Sequence, residues 1–374
     1  MGGIYFHIPF CKQACHYCDF HFSTNLTLKH EIINSMIGEI KLQYNYLGQE
    51  PIETIYFGGG TPSLLSVSEL TTLLQTINDH FRLTSNPEIT LEANPDDLTH
   101  EKLVRLKEMG INRLSIGIQS FDDVVLKFLN RAHSAKAALK CFEDSRRAGF
   151  ENISIDLIYA IPGQDNAQWM KNVRKAVELN SEHISSYSLT VEEKTVFGRW
   201  SARGKLNMVN DEIAAEQLEV LMNELTQAGY DQYEVSNFGK PQYYSLHNSN
   251  YWKQKPYLGI GPSAHSYNGL SRQHNVSNNQ HYIESLREKK IPFEREELSR
   301  EDLINEYLLT TLRTNWGCNL TKLLKDFNYD IFQEHGKYLE KLQFGALAKI
   351  DKNILTLSNK GKLLADKIAS DLFC

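Results

Sequence analysis

Cys11-Lys12-Gln13-Ala14-Cys15-His16-Tyr17-Cys18 places three cysteines in eight residues, spaced C-x3-C-x2-C. The whole chain has six cysteines, so half of its thiols lie in one short stretch. Soft thiolates are the usual ligands of iron–sulfur clusters, and three of them can hold three irons of a [4Fe–4S] cube. With no fourth cysteine nearby, the fourth iron is left open to another ligand, as in a catalytic metal site. A zinc site completed by His7, His16 or His21 is the alternative. Zinc sites usually join C-x2-C to a second, distant pair, and the sequence has none, so the spacing favours the cluster.

Working outward, the loop follows a short apolar run, Ile4–Ile8, which reads as a strand between Gly3 and Pro9. Strands and helices then alternate. Helical periodicity is expected over Leu28–Tyr44, Ser68–Phe81, Glu101–Met109, Ala135–Ala148 and Ala167–Leu179, and strands over Ile52–Phe57, Glu88–Ala93, Arg113–Ile118, Ile153–Ile158 and His183–Leu189. Repeated βα units imply parallel strands with helices outside, and so an α/β fold: a partial (β/α)6 TIM-like barrel over residues 1–195, with a doubly wound sheet as the alternative. Function in such folds sits at the C-terminal strand ends. The cysteines, Gly58-Gly59-Gly60-Thr61, Glu92, Gln119, Asp156 and Thr190 all fall at or just past those ends.

Beyond Thr190 the pattern changes. An extension is expected over 196–298, with a helix at Asp211–Ala228, a strand within Tyr230–Phe238, a loop-rich stretch from Lys240 to Ser277 and a helix at Asn279–Lys289. The long loop carries His247-Asn248-Ser249-Asn250-Tyr251-Trp252 and His265. A small α+β domain is expected over 299–374. Helices precede a hairpin turning at Asp351-Lys352-Asn353, an order like that of a winged helix. From Asn319 onward this domain has no arginine, which argues against DNA reading.

The 374 residues suffice for a large core without disulfides. A hydrophobic content of 41% with 23% charged residues is that of a soluble globular chain. The net charge of −6 argues against a general nucleic-acid binder. No signal peptide and no apolar run long enough for a membrane span is read, so a cytoplasmic location is expected, with peripheral membrane association left open.

Several stretches together carry a family resemblance. The cysteine spacing with Tyr17 before the last cysteine is similar to the radical SAM signature. Tyr5-Phe6-His7-Ile8-Pro9-Phe10-Cys11, Tyr56-Phe57-Gly58-Gly59-Gly60-Thr61-Pro62, Leu91-Glu92-Ala93-Asn94-Pro95, Ser115-Ile116-Gly117-Ile118-Gln119-Ser120-Phe121, Leu129-Asn130-Arg131-Ala132-His133 and Asp156-Leu157-Ile158-Tyr159 resemble the oxygen-independent coproporphyrinogen III oxidase family and its HemW branch. The resemblance implies a [4Fe–4S] cluster on Cys11, Cys15 and Cys18, with S-adenosylmethionine (SAM) on its open iron. It implies Tyr5, Gly59, Gly60 and Thr61 near the methionine. Glu92, Gln119, Arg131 and Asp156 would hold its carboxylate, the ribose and neighbouring groups, with Tyr17 and Thr190 at the adenine end.

Three features separate the branches. The oxidase has a further cysteine two positions after its third ligand, where this chain has Phe20. It has a longer arm before the cluster strand, where this chain has ten residues before Cys11. HemW proteins carry His-Asn-x-x-Tyr-Trp, which His247–Trp252 matches. The resemblance therefore implies a haem chaperone that hands haem to haem-dependent proteins, with coproporphyrinogen oxidation as the alternative activity. His247 is the expected haem ligand, since neutral imidazole commonly ligates haem iron, and His265 is a second candidate.

Overall fold

The computed structural model describes residues 1–374. In the first half β1 (Gly2–Ile8), α1 (Lys29–Leu42), β2 (Ile52–Gly59), α2 (Val67–His80), β3 (Leu83–Ala93), α3 (His100–Glu108), β4 (Arg113–Gln119), α4 (Asp123–Phe128), α5 (Ala135–Arg147), β5 (Ile153–Tyr159), α6 (Asn166–Leu179) and β6 (His183–Ser188) follow in turn. β1 to β6 are neighbours in sequence order, and every pair is parallel. The alternation expected from the sequence is the architecture observed, with α4 an added short helix.

Strand parity gives the sheet one apolar face and one polar face. Successive residues point to opposite faces. Ile4, Phe6 and Ile8, Ile55 and Phe57, Ile89 and Leu91, Leu114, Ile116 and Ile118, Ile153, Ile155 and Leu157, and Ile184 form one buried apolar layer with Met36, Leu70, Leu103, Phe142 and Trp169 from the helices. The residues between them are polar: Thr54 and Tyr56, Thr90 and Glu92, Arg113 and Ser115, Ser154 and Asp156, His183 and Ser185. The stabilising core therefore lies between sheet and helices, and the concave face is left for chemistry. Capping fixes the helices, as where Ser66 and Glu69 close a reciprocal box at the start of α2.

The extension has no separate core. After α7 (Val196–Ala202) and α8 (Asp211–Gln227), β7 (Asp231–Glu234) and β8 (Asn237–Gly239) form a hairpin, and β8 pairs antiparallel with β6. The stretch expected to be loop-rich holds α9 (Leu246–Trp252), β9 (Tyr257–Ile260), β10 (His265–Tyr267) and β11 (Ser271–Asn275). β9 returns to pair parallel with β1 at the opposite edge. After α10 (Asn279–Arg287), β12 (Phe293–Glu297) completes a twelve-stranded sheet.

α11 (Arg300–Leu312), β13 (Cys318–Asn319), α12 (Leu320–Phe327), α13 (Ile331–Phe344), β14 (Ala348–Asp351), β15 (Ile354–Leu357), α14 (Asn359–Lys362) and α15 (Ala365–Ser370) form a second unit with its own buried cluster around Leu308, Leu323, Leu342, Leu355 and Ile368. Its elements run in the order helix–strand–helix–helix–hairpin. The hairpin turns on Lys352 and Asn353, both left-handed at φ 49 and 62, as a two-residue loop of this hand requires. No helix in the structure is long and apolar enough to cross a membrane.

Candidate functional site

The cysteine loop is pinned to the segment after α4. His16 N–H donates to the Leu129 carbonyl at 3.1 Å, and its Nδ1 lies 2.9 Å from the Phe128 carbonyl. Asn130, left-handed at φ 59, donates from Nδ2 to the Ala14 carbonyl at 2.7 Å. Asparagine tolerates that conformation better than most residues. The Lys12 ammonium pairs with Asp96 and Asp97 beyond β3.

Two donors then address the sulfurs. Thr61 Oγ1 donates to Cys11 Sγ, and Arg131 Nη1 to Cys15 Sγ, each at 3.3 Å. Burial pushes the Cys11 thiol up to about 11 and the Cys18 thiol to about 12. A cation must therefore displace their protons for these thiolates to form at neutral pH. None of His7, His16 and His21 lines the cavity onto which the three cysteines open, and both ring nitrogens of His7 face protein oxygens, the Tyr5 hydroxyl and the His21 carbonyl.

Cys11, Cys15 and Cys18 open onto one cavity of about 440 Å³. Tyr17, Gly59, Gly60, Thr61, Glu92, Gln119, Arg131, Asp156 and Thr190 also line it. Its backbone wall needs glycine. Gly59 has φ +103, and a Cβ on Gly60 would meet the Phe10 carbonyl at 2.7 Å and the Ile8 carbonyl at 2.9 Å. Gln119 is itself left-handed at φ 66, a strand-end strain of the kind that collects at functional sites.

The cavity wall carries opposed charge. Arg131 Nη2 donates to the Gly117 carbonyl at 2.8 Å and to Asn94 Oδ1, leaving its buried Nε without a partner. Tyr56 donates its hydroxyl to Glu92 at 2.7 Å. Ser115 Oγ donates to Asp156 Oδ1 at 3.2 Å. Burial, reinforced by Asp156, raises the Glu92 carboxyl to about 7; burial raises Asp156 to about 6. An orphaned guanidinium nitrogen, two depth-raised carboxyls and a glycine wall beside three thiols suit a zwitterionic ligand bearing a sugar, and the thiols suit an iron–sulfur cluster.

Two expected residues fall elsewhere. Tyr5 is not in the cavity wall; its ring stacks on Tyr56 and His247, with centroids 6.1 and 6.4 Å away. His247, the expected haem ligand, does not line the cavity either. It is 2% exposed, with Nδ1 2.8 Å from Thr54 Oγ1 and Nε2 2.8 Å from the Tyr251 hydroxyl. Both ring nitrogens are engaged by protein hydroxyls. Burial, with the Arg113 charge, pushes this imidazole down to about 3 and keeps it neutral. Its neighbour Asn248 is the part of that motif that reaches the cavity.

Arg113, Ser115, Asn94 and Ser185 also line the cavity; Asn94 and Ser115 lie within the stretches that carry the family resemblance, but none of the four was given a role from the sequence. Strand parity carries the signal for three of them: Arg113 and Ser115 alternate with Gly117 and Gln119 on β4, as Ser185 does with His183 on β6. Phe20, 65% exposed, stands in the same wall.

The radical SAM superfamily model matches residues 5–176. The heme chaperone HemW of Bacillus subtilis (strain 168) is 37% identical over 371 residues, covering 98% of each chain. The chain belongs to the HemW family of radical SAM proteins. HemW of Lactococcus lactis is similar at 36% over 98% of this chain and 96% of its own, and HemW of Escherichia coli at 37% over 70% and 69%. The fold also matches the solved structure of the E. coli coproporphyrinogen III oxidase HemN. The TM-score is 0.85, with 23% identity, over 100% of this chain and 90% of that one.

Proposed function

We propose that this chain binds haem as cargo and hands it to haem-requiring proteins, while carrying a [4Fe–4S] cluster and SAM at the strand ends. The observation that carries this reading is the end-to-end identity with chains named as heme chaperones. Phe20 agrees with it, since an apolar ring stands where the oxidase branch has a further cysteine.

In this reading Cys11, Cys15 and Cys18 hold the cluster, and Thr61 and Arg131 stabilise the thiolates they bond. Gly59 and Gly60 let backbone approach the methionine end of SAM. The partly bonded Arg131 guanidinium suits a carboxylate. Glu92 and Asp156, when ionised, accept from amino and hydroxyl groups. Tyr17 and Thr190 face the adenine end. The bound cluster and SAM together supply a sulfonium that one electron can cleave. The protein acts in the cytoplasm.

The test is transfer. Anaerobically reconstituted protein is loaded with haem, freed of excess, and mixed with an apo-form haem enzyme. Recovery of the acceptor's activity, faster than from an equal amount of haem on serum albumin, is expected. Recovery no faster than from albumin removes the chaperone reading.

A further inference from the structure

Hydrogen bonding sorts the histidines. Of the chain's histidine rings, only those of His265, His274 and His281 make no hydrogen bond to the protein; all the others do. Two of these free rings face each other. His265 on β10 and His274 on β11 are register partners. Their rings are stacked, with centroids 5.3 Å apart and planes 23° apart, and both residues are exposed. The next partner across the sheet is Glu294 on β12, with Oε2 3.6 Å from His274 Nε2.

Register tells which face they share. Tyr5, on the concave side of β1, pairs with Gly259 on β9. Tyr257, two residues back, pairs with Tyr267, and Tyr267 with Arg272. His265 and His274 lie two residues from Tyr267 and Arg272, so they share that face. The intervening Ser266, Gln273 and Asn275 are buried on the opposite face, where Gln43 and Glu39 of the α1 region take Gln273 and Asn275. The concave wall thus continues past β1 as an open shelf. Gly259 adds no side chain between Tyr5 and His265. One row along, roughly 7 Å away, stand Tyr257 and Tyr267, with centroids 6.3 Å apart, and the Arg272 guanidinium lies over Tyr267 at 5.8 Å. Glu306 takes one end of Arg272 at 2.9 Å, leaving other donors of its fork.

We propose that cargo haem docks on this shelf, with its iron taken by an imidazole of the His265–His274 pair and a propionate held by Arg272. The inference rests on the haem-binding reading above and offers an exposed imidazole where His247 is buried. Tyr257 and the buried Tyr267 anchor the base of the shelf, and the porphyrin would lie over the exposed imidazoles and the Arg272 guanidinium that covers Tyr267. Although the residue is exposed at the surface, the protein packed around its ring, with the charges of His274 and Arg272, lowers the His265 imidazole below its usual value, which favours the neutral, ligating form at physiological pH. His265 also lies close enough to His7 for the two charges to interact, so the haem would sit beside the strand that leads into Cys11.

Haem is titrated into the reconstituted wild type, the double variant His265→Ala/His274→Ala, Arg272→Gln, and His281→Ala as the free-ring control. Absorbance gives affinity, and electron paramagnetic resonance of the ferric form gives the axial ligand. The double variant should lose at least about tenfold in affinity together with the imidazole signature, while keeping its iron and SAM binding. Added imidazole should restore the signature. Arg272→Gln should weaken binding without changing the ligand, and His281→Ala should match wild type. Wild-type affinity and signature in the double variant would overturn the site and leave the chaperone reading standing. The same result with Zn²⁺ bound by the pair would assign it to a bare cation and equally overturn the site. A wild type that takes up no haem would remove both.

Discussion

At the residue scale the cavity turns on Glu92 and Asp156, the two carboxyls raised to about 7 and about 6 by burial. Unfolded, they would titrate near 4. Folding therefore raises their proton affinity, and their contribution to stability is present below the unfolded values and lost as pH rises through 6 and 7. A ligand that needs them ionised follows the opposite course. SAM binding to the cluster-loaded protein should strengthen as pH rises from about 6 to about 8. Glu92→Gln should weaken binding at the upper end and flatten the profile. Calorimetric titration across that range checks this, and a wild-type profile in Glu92→Gln would exclude Glu92 from binding.

At the scale of elements, α9 shows what the sequence could not reveal. The βα alternation was legible because each of its helices from α1 to α6, short α4 apart, is long enough to show a period and each strand carries an apolar run. The cysteine loop and strand-end residues were legible because their positions follow from those elements. α9 spans only Leu246–Trp252, too few residues for periodicity, and its partners are remote in sequence. Glu88 accepts the backbone N–H groups of Leu246 and His247 at 2.9 Å each, and Thr54 takes the His247 ring. An aromatic, histidine-bearing stretch therefore reads as an exposed binding loop when tertiary contacts bury it. β9 was missed for the same reason: it is a four-residue strand paired to β1 from the far end of the barrel. His247→Ala should accordingly act on the fold. Loss of two buried hydrogen bonds and the ring volume should cost about 2–4 kcal/mol, read by urea denaturation of the apo-protein. Haem affinity per folded molecule should be unchanged, and a haem defect at unchanged stability would restore His247 as a ligand.

At the scale of the whole molecule, a buried ion pair joins the two units. Arg313, just past α11, bonds Glu234 at the end of β7 at 3.2 Å, and Glu234 has a side chain only 1% exposed. Arg313 also lies over the Trp252 ring of α9 at 5.3 Å. The C-terminal unit is thus fastened to β7 and α9. Arg313→Met leaves a carboxylate buried without its cation and should destabilise the protein by about 3 kcal/mol. It should also speed proteolytic cleavage between the units; unchanged stability and cleavage would mean the pair does not hold them together.

The central claim is that a radical SAM scaffold here serves haem carriage. Anaerobic reconstitution with iron counted, followed by titration of haem and SAM on one sample and a parallel assay with coproporphyrinogen III and a reductant, tests it most directly. One cluster per chain, lost in Cys15→Ala, saturable haem uptake, and no coproporphyrinogen decarboxylation above the Cys15→Ala control are expected. Cluster-dependent decarboxylation without haem uptake would contradict it.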